Sequence, residues 1–371
     1  MRILHLHSGN LFGGIESMLL TLLDARAGTQ SSTARVALCF RGRLFEELTR
    51  RGVHVDLIGD VRLSRPSTTR RARARVRALL ADWSPDVVVV HLPWTQAVFG
   101  PTLKAAGVRV IQWIHGPVTG VLGVWASRSL PDAMISNSAF TSTQLPAAYR
   151  DVPLAVIRYP VSSPPEYSAA QLADTRASLG TAASDVVIVQ ASRFEPWKGH
   201  VPHLRALGQL AAVPGWVLWI VGGAQRPAEA RYEQELRALA SELGIAARIR
   251  FTGEQPDVSR FLAAADIYCQ PNTGPEPFGL AYVEALAAGL PVIATSIGAA
   301  REIVSPETGL LVQPGNVDAL ADALRLLIVD QERRRTLGRA GVPRATELCD
   351  AARQIAALDA FVGALAGGAP A

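Results

Sequence analysis

Disulfide scaffolding is the first architecture this chain excludes. Its 371 residues include three cysteines, Cys39, Cys269 and Cys349, an odd number with no paired spacing. That usage fits a reducing compartment and argues against a disulfide framework or a zinc site. Cys39 and Cys269 fall in apolar runs, where a thiol behaves as a small hydrophobe. Long hydrophobic runs are also missing: no stretch approaches the ~20 apolar residues that a membrane-spanning helix needs. A signal peptide is not expected, because Met1-Arg2-Ile3-Leu4-His5-Leu6-His7 already reads as a first strand. The expected location is the cytoplasm. Charged residues make up 19% and apolar residues 49%, a globular balance. Solenoid repeats and low-complexity segments are absent.

What is present is an alternation of strands and helices. Strand-like runs are Arg2–His7, Arg35–Phe40, Val53–Ile58, Asp86–His91, Arg109–Ile114, Ala133–Ser136 and Leu154–Arg158. Helical stretches such as Glu16–Asp24, Arg43–Arg50 and Arg70–Ala81 lie between them. The run Val87-Val88-Val89-Val90 is apolar on both faces, as a strand of a buried parallel sheet must be. After the Pro- and Ser-rich segment Tyr159–Glu166 the alternation restarts, at Asp185–Ala191, Trp216–Val221, Arg248–Thr252, Asp266–Cys269, Pro291–Thr295 and Gly309–Val312. The expected fold is therefore α/β, with two Rossmann-like doubly wound parallel sheets facing a cleft. The expected boundaries are 1–162, 163–349 and a C-terminal helix, 350–371, that returns to the first domain. Ligands are expected at the carboxyl ends of the strands.

The net charge of +5 is concentrated between Arg62 and Arg77, where Arg65, Arg70, Arg71, Arg73 and Arg75 also lie. No aromatic-interleaved or helix-turn-helix pattern accompanies these arginines, so nucleic acid is not an expected partner. Two readings stay open: a solvated helix face, or peripheral contact with the inner, anionic face of a membrane.

The densest chemical signal is Asn272–Thr295, Asn-Thr-Gly-Pro-Glu-Pro-Phe-Gly-Leu-Ala-Tyr-Val-Glu-Ala-Leu-Ala-Ala-Gly-Leu-Pro-Val-Ile-Ala-Thr. Glu276 and Glu284 flank a Pro-Phe-Gly turn that opens into a helix. A helix start offers free N–H groups and the positive dipole end, both suited to phosphate. Ionised carboxylates accept hydrogen bonds from sugar hydroxyls. Taken alone, the segment could be a packed helix–strand junction. A second segment, Arg193-Phe-Glu-Pro-Trp-Lys198-Gly199-His200, directly follows a strand. There an arginine fork and a lysine point charge could clamp a diphosphate, or could simply be surface charge. Together the two segments describe a nucleotide-sugar site.

In the first half, Gly13 and Gly14 lead into a helix and allow close backbone approach. They do not match a dinucleotide fingerprint, because Leu11 occupies the place of its second glycine. His115 ends an apolar strand before Gly116-Pro117, and His91 ends another, close to Trp94. Asn137 stands between Ser136 and Ser138 at a third strand end. His5 and His7 are expected in the core or in a cleft wall.

The pattern Arg-x4-Lys-Gly-His followed by Glu276-x7-Glu284 resembles the retaining glycosyltransferases of family 4, which have the two-domain GT-B arrangement. The resemblance is strongest from Val186 to Leu327. It implies that Arg193 and Lys198 hold a donor diphosphate, that Glu276 meets the donor sugar, and that Glu284 takes the ribose hydroxyls. Backbone amides of Phe278, Gly279 and Leu280 would meet phosphate and sugar, and Gly13 and Gly14 would lie near the donor phosphate. His115 would contact the sugar near the reacting centre. His91, Trp94 and Asn137 are candidates for the acceptor side.

The implied activity is transfer of a hexosyl unit from a nucleoside-diphosphate sugar to a hydroxyl acceptor, with retention of configuration. A UDP-sugar is favoured over a GDP-sugar, and no metal or other cofactor is expected. The acceptor is a lipid-linked glycan, a polysaccharide or a small natural product. Two departures from the family pattern, Asn272 for a common serine and Gly298-Ala299-Ala300 for a Gly-Gly pair, are expected to stay off the Arg193–Lys198 clamp and to fall near the donor sugar. Alternative readings are a non-catalytic nucleotide-sugar-binding protein, a glycoside hydrolase using Glu276 and Glu284, and a phosphorylase-like enzyme for which no pyridoxal-phosphate lysine signature is found.

Overall fold

Val87-Val88-Val89-Val90 is at most 1% exposed along its whole length, a condition reached by strands covered on both faces. The computed structural model describes residues 1–26 and 33–367. Its elements, in chain order, are β1 (Arg2–His7), α1 (Gly14–Arg26), β2 (Thr33–Leu38), α2 (Arg43–Arg50), β3 (Val55–Leu57), α3 (Pro66–Trp83), β4 (Val87–His91), α4 (Leu92–Ala105), β5 (Arg109–Ile114), α5 (Gly120–Ser127), β6 (Ala133–Ser136), α6 (Ala139–Thr143) and β7 (Leu154–Val156). Then come α7 (Ala169–Ser178), β8 (Val186–Ala191), α8 (His200–Gln209), β9 (Trp216–Val221), α9 (Pro227–Glu242), β10 (Ile249–Gly253), α10 (Val258–Ala263), β11 (Ile267–Gln270) and α11 (Leu280–Ala287). The chain closes with β12 (Val292–Thr295), α12 (Ala300–Ile303), β13 (Gly309–Val312), α13 (Val317–Val329), α14 (Gln331–Cys349) and α15 (Ala351–Ala366).

These elements form two compact units, Met1–Pro160 with Asp350–Ala371, and Val161–Cys349. The first holds a parallel sheet of order β3-β2-β1-β4-β5-β6-β7, with its switch point between β1 and β4. The second repeats the plan as β10-β9-β8-β11-β12-β13, with the switch between β8 and β11. Both are the Rossmann-like sheets expected from the strand–helix alternation.

Strand alternation divides each sheet into two faces. In the first unit, Leu4, Leu6, Val88 and Val90 turn into a core with Val76 and Leu80 of α3 and Phe99 and Leu103 of α4. In the second, Ile188, Leu218, Ile267 and Ile293 pack with Leu204 of α8, Leu236 of α9 and Leu324 of α13. Cys39 and Cys269 belong to these cores, and Cys349 is buried as well.

Two boundaries move for identifiable reasons. The strand expected to end at Phe40 ends at Leu38, because the N–H groups of Cys39 and Phe40 turn to the Ser8 carbonyl at 3.1 and 3.0 Å. The basic helix expected from Arg70 starts at Pro66, since proline is pre-set for a first helical position. The closing helix α15 lies beside α1, where Asp359 pairs with the buried Arg26. Among the described residues, no helix is long and apolar enough to cross a membrane.

Candidate active site

In the second unit, the carboxyl ends of β8 and β11 converge because Gly199 permits it. Gly199 adopts φ +79, and a Cβ there would lie 1.8 Å from the Pro271 carbonyl oxygen. The turn after β8 therefore rests directly on the loop after β11, and the Thr273 N–H donates to the Trp197 carbonyl at 2.8 Å. This contact brings Lys198 to Glu276. The Lys198 ammonium donates to Glu276 Oε2 at 2.8 Å, with the two side chains 16% and 11% exposed. Asn272 Nδ2 donates to the same oxygen at 2.9 Å. Behind it, Gln270 Nε2 donates to Asn272 Oδ1 at 3.0 Å, and the Tyr268 hydroxyl donates to Gln270 Oε1 at 2.9 Å. The Thr295 hydroxyl fixes the Asn272 carbonyl at 2.7 Å.

The backbone of Glu276 is equally constrained. It bridges to Gly298, and its carbonyl accepts from Ala299 N–H at 2.8 Å. Gly298 has φ +64, and a Cβ there would meet the Glu276 carbonyl at 2.5 Å. Asn272 and the Gly298-Ala299 segment thus both bear on Glu276, the residue expected to meet the donor sugar, and neither makes a hydrogen bond to Arg193 or Lys198 among the described residues.

Arg193 is held by a different set of carboxylates. Its guanidinium donates to Glu195 at 2.7 Å and stands 3.6 Å from Glu229, which is 5% exposed and accepts from the Gln225 N–H at 2.7 Å. Glu195 also accepts from Trp197 Nε1 at 3.1 Å, and the Lys198 ammonium lies 3.9 Å from the Trp197 ring centre. Arg193 and Lys198 are therefore linked through Glu195 and Trp197. Their cationic heads are oriented before any anion arrives.

Beyond Glu276, Phe278 is buried at 3% exposure and Gly279 precedes the first residue of α11, Leu280. The opening amides of α11 carry its positive dipole end. One turn on, the Glu284 carboxyl carries no hydrogen bond among the described residues, and burial pushes its pKa up to about 7.

In the first unit, alternation on three neighbouring strands puts His5, His7, His91, Trp113 and His115 on the face opposite the α3–α4 core. His5 Nδ1 lies 3.1 Å from His91 Nε2, and His91 Nδ1 lies 2.9 Å from His115 Nε2. His115 Nδ1 lies 2.7 Å from the Tyr159 hydroxyl. Asn137 Nδ2 donates to that hydroxyl at 3.2 Å and to the His115 carbonyl at 3.3 Å. His5 and His91 are fully buried and His115 is 7% exposed. Burial pulls the pKa of His5 down to about 3, and it holds His91 and His115 well below the usual imidazole range.

His7 bonds Glu16 Oε1 at 2.7 Å, while Glu16 Oε2 accepts from the Gly13 N–H at 2.8 Å. This fixes the loop at the start of α1, where Gly13 is half-buried and Gly14 exposed. Trp94 is not brought to the histidines. It packs against Phe99 at 6.4 Å, within the core on the other side of the sheet.

Sequence reasoning passed over Tyr159, Gln270 and the link from Asn272 to Glu276, and it left His5 and His7 without a role. A readable signal was available: histidines end three strands, β1, β4 and β5, that the predicted topology makes neighbours. Tyr159 gave none, since its segment read as a linker.

A family model for glycosyl transferases of group 1 matches residues 173–342. A GDP-mannose-dependent monoacylated alpha-(1-6)-phosphatidylinositol monomannoside mannosyltransferase of Corynebacterium glutamicum is 34% identical over 270 residues, covering 66% of this chain and 68% of that protein. A phosphatidyl-myo-inositol mannosyltransferase of Mycobacterium leprae is 29% identical over 340 residues, covering 87% and 85%. Anabaena HepE in complex with UDP-glucose matches in fold, with a TM-score of 0.87, 24% identity, and 98% and 100% of the two chains covered. With its two Rossmann-like sheets, the chain belongs to the glycosyl transferases of group 1 and is a glycosyltransferase of GT-B fold.

Proposed function

We propose that this glycosyltransferase moves a mannosyl unit from GDP-mannose to a hydroxyl of a lipid-borne carbohydrate or inositol, with retention and without a metal ion. The observation that carries the reading is the Lys198–Glu276–Asn272 cluster beside the start of α11. GDP-mannose replaces the UDP-sugar favoured from the sequence, because the Corynebacterium glutamicum relative is GDP-mannose-dependent and the Mycobacterium leprae relative is also a mannosyltransferase.

In this reading, the bond between the sugar's anomeric carbon and the β-phosphate oxygen breaks, and the acceptor oxygen bonds that carbon on the same face. The acceptor proton passes to the leaving phosphate. The departing diphosphate gains charge, which Arg193, Lys198 and the amides of Phe278, Gly279 and Leu280 stabilise. Glu276 accepts from sugar hydroxyls and Glu284 from the ribose. His115 contacts the transferred sugar and Gly13 and Gly14 approach the phosphate, while His91, fully buried with both ring nitrogens engaged, and Asn137, bonded to Tyr159, support His115 rather than the acceptor.

Purified protein incubated with GDP-mannose and a phosphatidylinositol-mannoside acceptor should give an α-linked product by NMR, in the presence or absence of EDTA. Turnover of simple glycosides without nucleotide sugar would favour the hydrolase reading instead. Nucleotide-sugar binding with neither transfer nor donor hydrolysis would favour a non-catalytic binder.

A peripheral membrane contact fits the lipid acceptor. Arg62, Arg65, Arg70, Arg71, Arg75 and Arg77 are exposed, with Arg75 also donating to the Ile58 carbonyl, whereas Arg73 is half-buried and donates to the Val98 carbonyl. Val121, Val124 and Trp125 of α5 are 66%, 58% and 42% exposed. Helices α3 and α5 both pack on α4, so the first unit carries basic and apolar anchors in one helix layer.

A further inference from the structure

The three histidines joined in series in the first unit act as one object. A neutral imidazole has one N–H and one bare nitrogen, so three such rings in a row must all point their protons the same way. In one sense Tyr159 donates to His115 Nδ1, His115 Nε2–H to His91 Nδ1, and His91 Nε2–H to His5 Nδ1. That order strands an N–H on His5 Nε2, which is buried and has no partner. In the other sense His5 Nδ1–H donates to His91 Nε2, His91 Nδ1–H to His115 Nε2, and His115 Nδ1–H to the Tyr159 oxygen. In this order His5 Nε2 keeps a bare lone pair, and the Tyr159 oxygen accepts from His115 and Asn137 together. Whichever order holds, one choice sets all three protons.

The rings are fixed by more than their hydrogen bonds. His91 stacks on His115 at 5.2 Å with planes 13° apart, on His5 at 5.4 Å and on Trp113 at 5.9 Å. Trp113 stacks on His115 at 5.8 Å. Turning a single ring over would break two hydrogen bonds and this stack together. Burial keeps the rings uncharged, so no added proton relieves the constraint.

We propose that His5 and His91 are positioning residues for His115, holding it in one tautomer and one orientation, with Nδ1 turned to Tyr159 and Nε2 to His91. The proposal rests on the reading of His115 as a residue of the reacting centre. His115 then meets the substrate as a ring whose proton and orientation are set two side chains away. His5 touches no substrate in this scheme and acts only through the row.

The test uses full-length protein with 15N-labelled histidine, the His115 signals being assigned by their loss in His115→Phe. Wild-type His115 should show a single tautomer by long-range 15N–1H correlation. His5→Phe should return His115 to a tautomer mixture. In that variant kcat should fall about tenfold, with donor KM held within about twofold, as for a misoriented group at the reacting centre. His5→Asn places an amide near the lost Nδ1, within reach of His91 Nε2, and should restore both readouts. Should His5→Phe fail to fold, the smaller His5→Leu carries the same test. A tautomer mixture in the wild type overturns the proposal. So does an unchanged His115 spectrum and kcat in folded His5→Phe or His5→Leu. A single tautomer in a protein that transfers no sugar supports the row and counts against the proposed activity alone.

Discussion

Replacing Glu276 by Gln separates phosphate binding from sugar binding within one cluster. The Lys198 ammonium has three N–H groups; one is committed to Glu276 Oε2 at 2.8 Å, and the Trp197 ring lies 3.9 Å away. A glutamine at 276 can keep its oxygen toward Lys198 and Asn272, so the lysine stays in place while the carboxylate charge is lost. A phosphate bound to Lys198 lies about 6 Å from that carboxylate, where two unit charges at an effective dielectric of about 20 repel by about 3 kcal/mol before salt screening. Glu276→Gln should therefore bind bare GDP at least as tightly as the parent. The transferred sugar loses a charge-assisted hydrogen bond of about 1.5–3 kcal/mol, so kcat/KM with GDP-mannose should fall about tenfold to a hundredfold. Lys198→Ala should weaken GDP and GDP-mannose alike, by a similar factor. Titration calorimetry with GDP and initial rates with GDP-mannose give both numbers. Lys104 and Lys198 are the chain's two lysines, so reductive 13C-methylation gives two lysine signals beside that of the α-amino group, and GDP should move the one that Lys198→Ala removes. If Glu276→Gln weakened bare GDP as much as Lys198→Ala does, Glu276 would be a support for the lysine and its sugar role would be wrong.

Gly199→Ala puts a Cβ onto the Pro271 carbonyl at a positive φ, and should cost at least about 2 kcal/mol in the denaturation midpoint and lower donor affinity. The Glu284 carboxyl, raised from 4.5 to about 7, keeps a proton in the folded state that the unfolded chain has already released. Its contribution to stability therefore falls as pH rises from 4.5 to about 7, and Glu284→Gln should flatten thermal stability across that window. Because the ribose hydroxyls need an ionised acceptor, GDP affinity should rise several-fold from about pH 6 to about pH 8 in the parent and stay level in Glu284→Gln. Exchanging Arg70, Arg71 and Arg77 for Ala should reduce sedimentation with phosphatidylserine vesicles by about 1 kcal/mol per arginine at low salt, with transfer to a water-soluble acceptor unchanged.

What could be read from the chain beforehand followed the physics of each signal. Val87–Val90 announced a doubly covered strand, because two-sided burial leaves no polar alternation to misread. The Glu276–Glu284 segment announced a helix start, since Pro-Phe-Gly before an Ala/Leu run has few other conformations. Contacts made by tertiary closure were out of reach. Lys198 reaches Glu276 because Gly199 lets the β8 turn settle onto Pro271, and no local spacing encodes that approach. Trp94 follows His91 by three residues, yet it turns to the opposite core, because Leu92 takes φ +74 and redirects the chain as α4 begins. A leucine in that conformation is rare enough that sequence spacing would not anticipate it.

The two switch points carry opposite electrostatics. At β8 and β11 the side chains are ionic: Arg193 and Lys198 are held by Glu195, Glu229 and Glu276. At β1, β4 and β5 the row of His5, His91 and His115 is held neutral by burial, down to about 3 for His5, with His7 paired to Glu16 beside it. A neutral row offers no charge to a diphosphate, so in the proposed mechanism Arg193 and Lys198 of the second unit supply that attraction. What neutral rings can offer is direction, since each fixes the proton of the next. A protonated imidazole beside the reacting carbon would also oppose the positive charge that develops there as the leaving group departs. If His115 stands at the reacting centre, as proposed, the same burial that makes the row useless as a phosphate anchor suits it to that place.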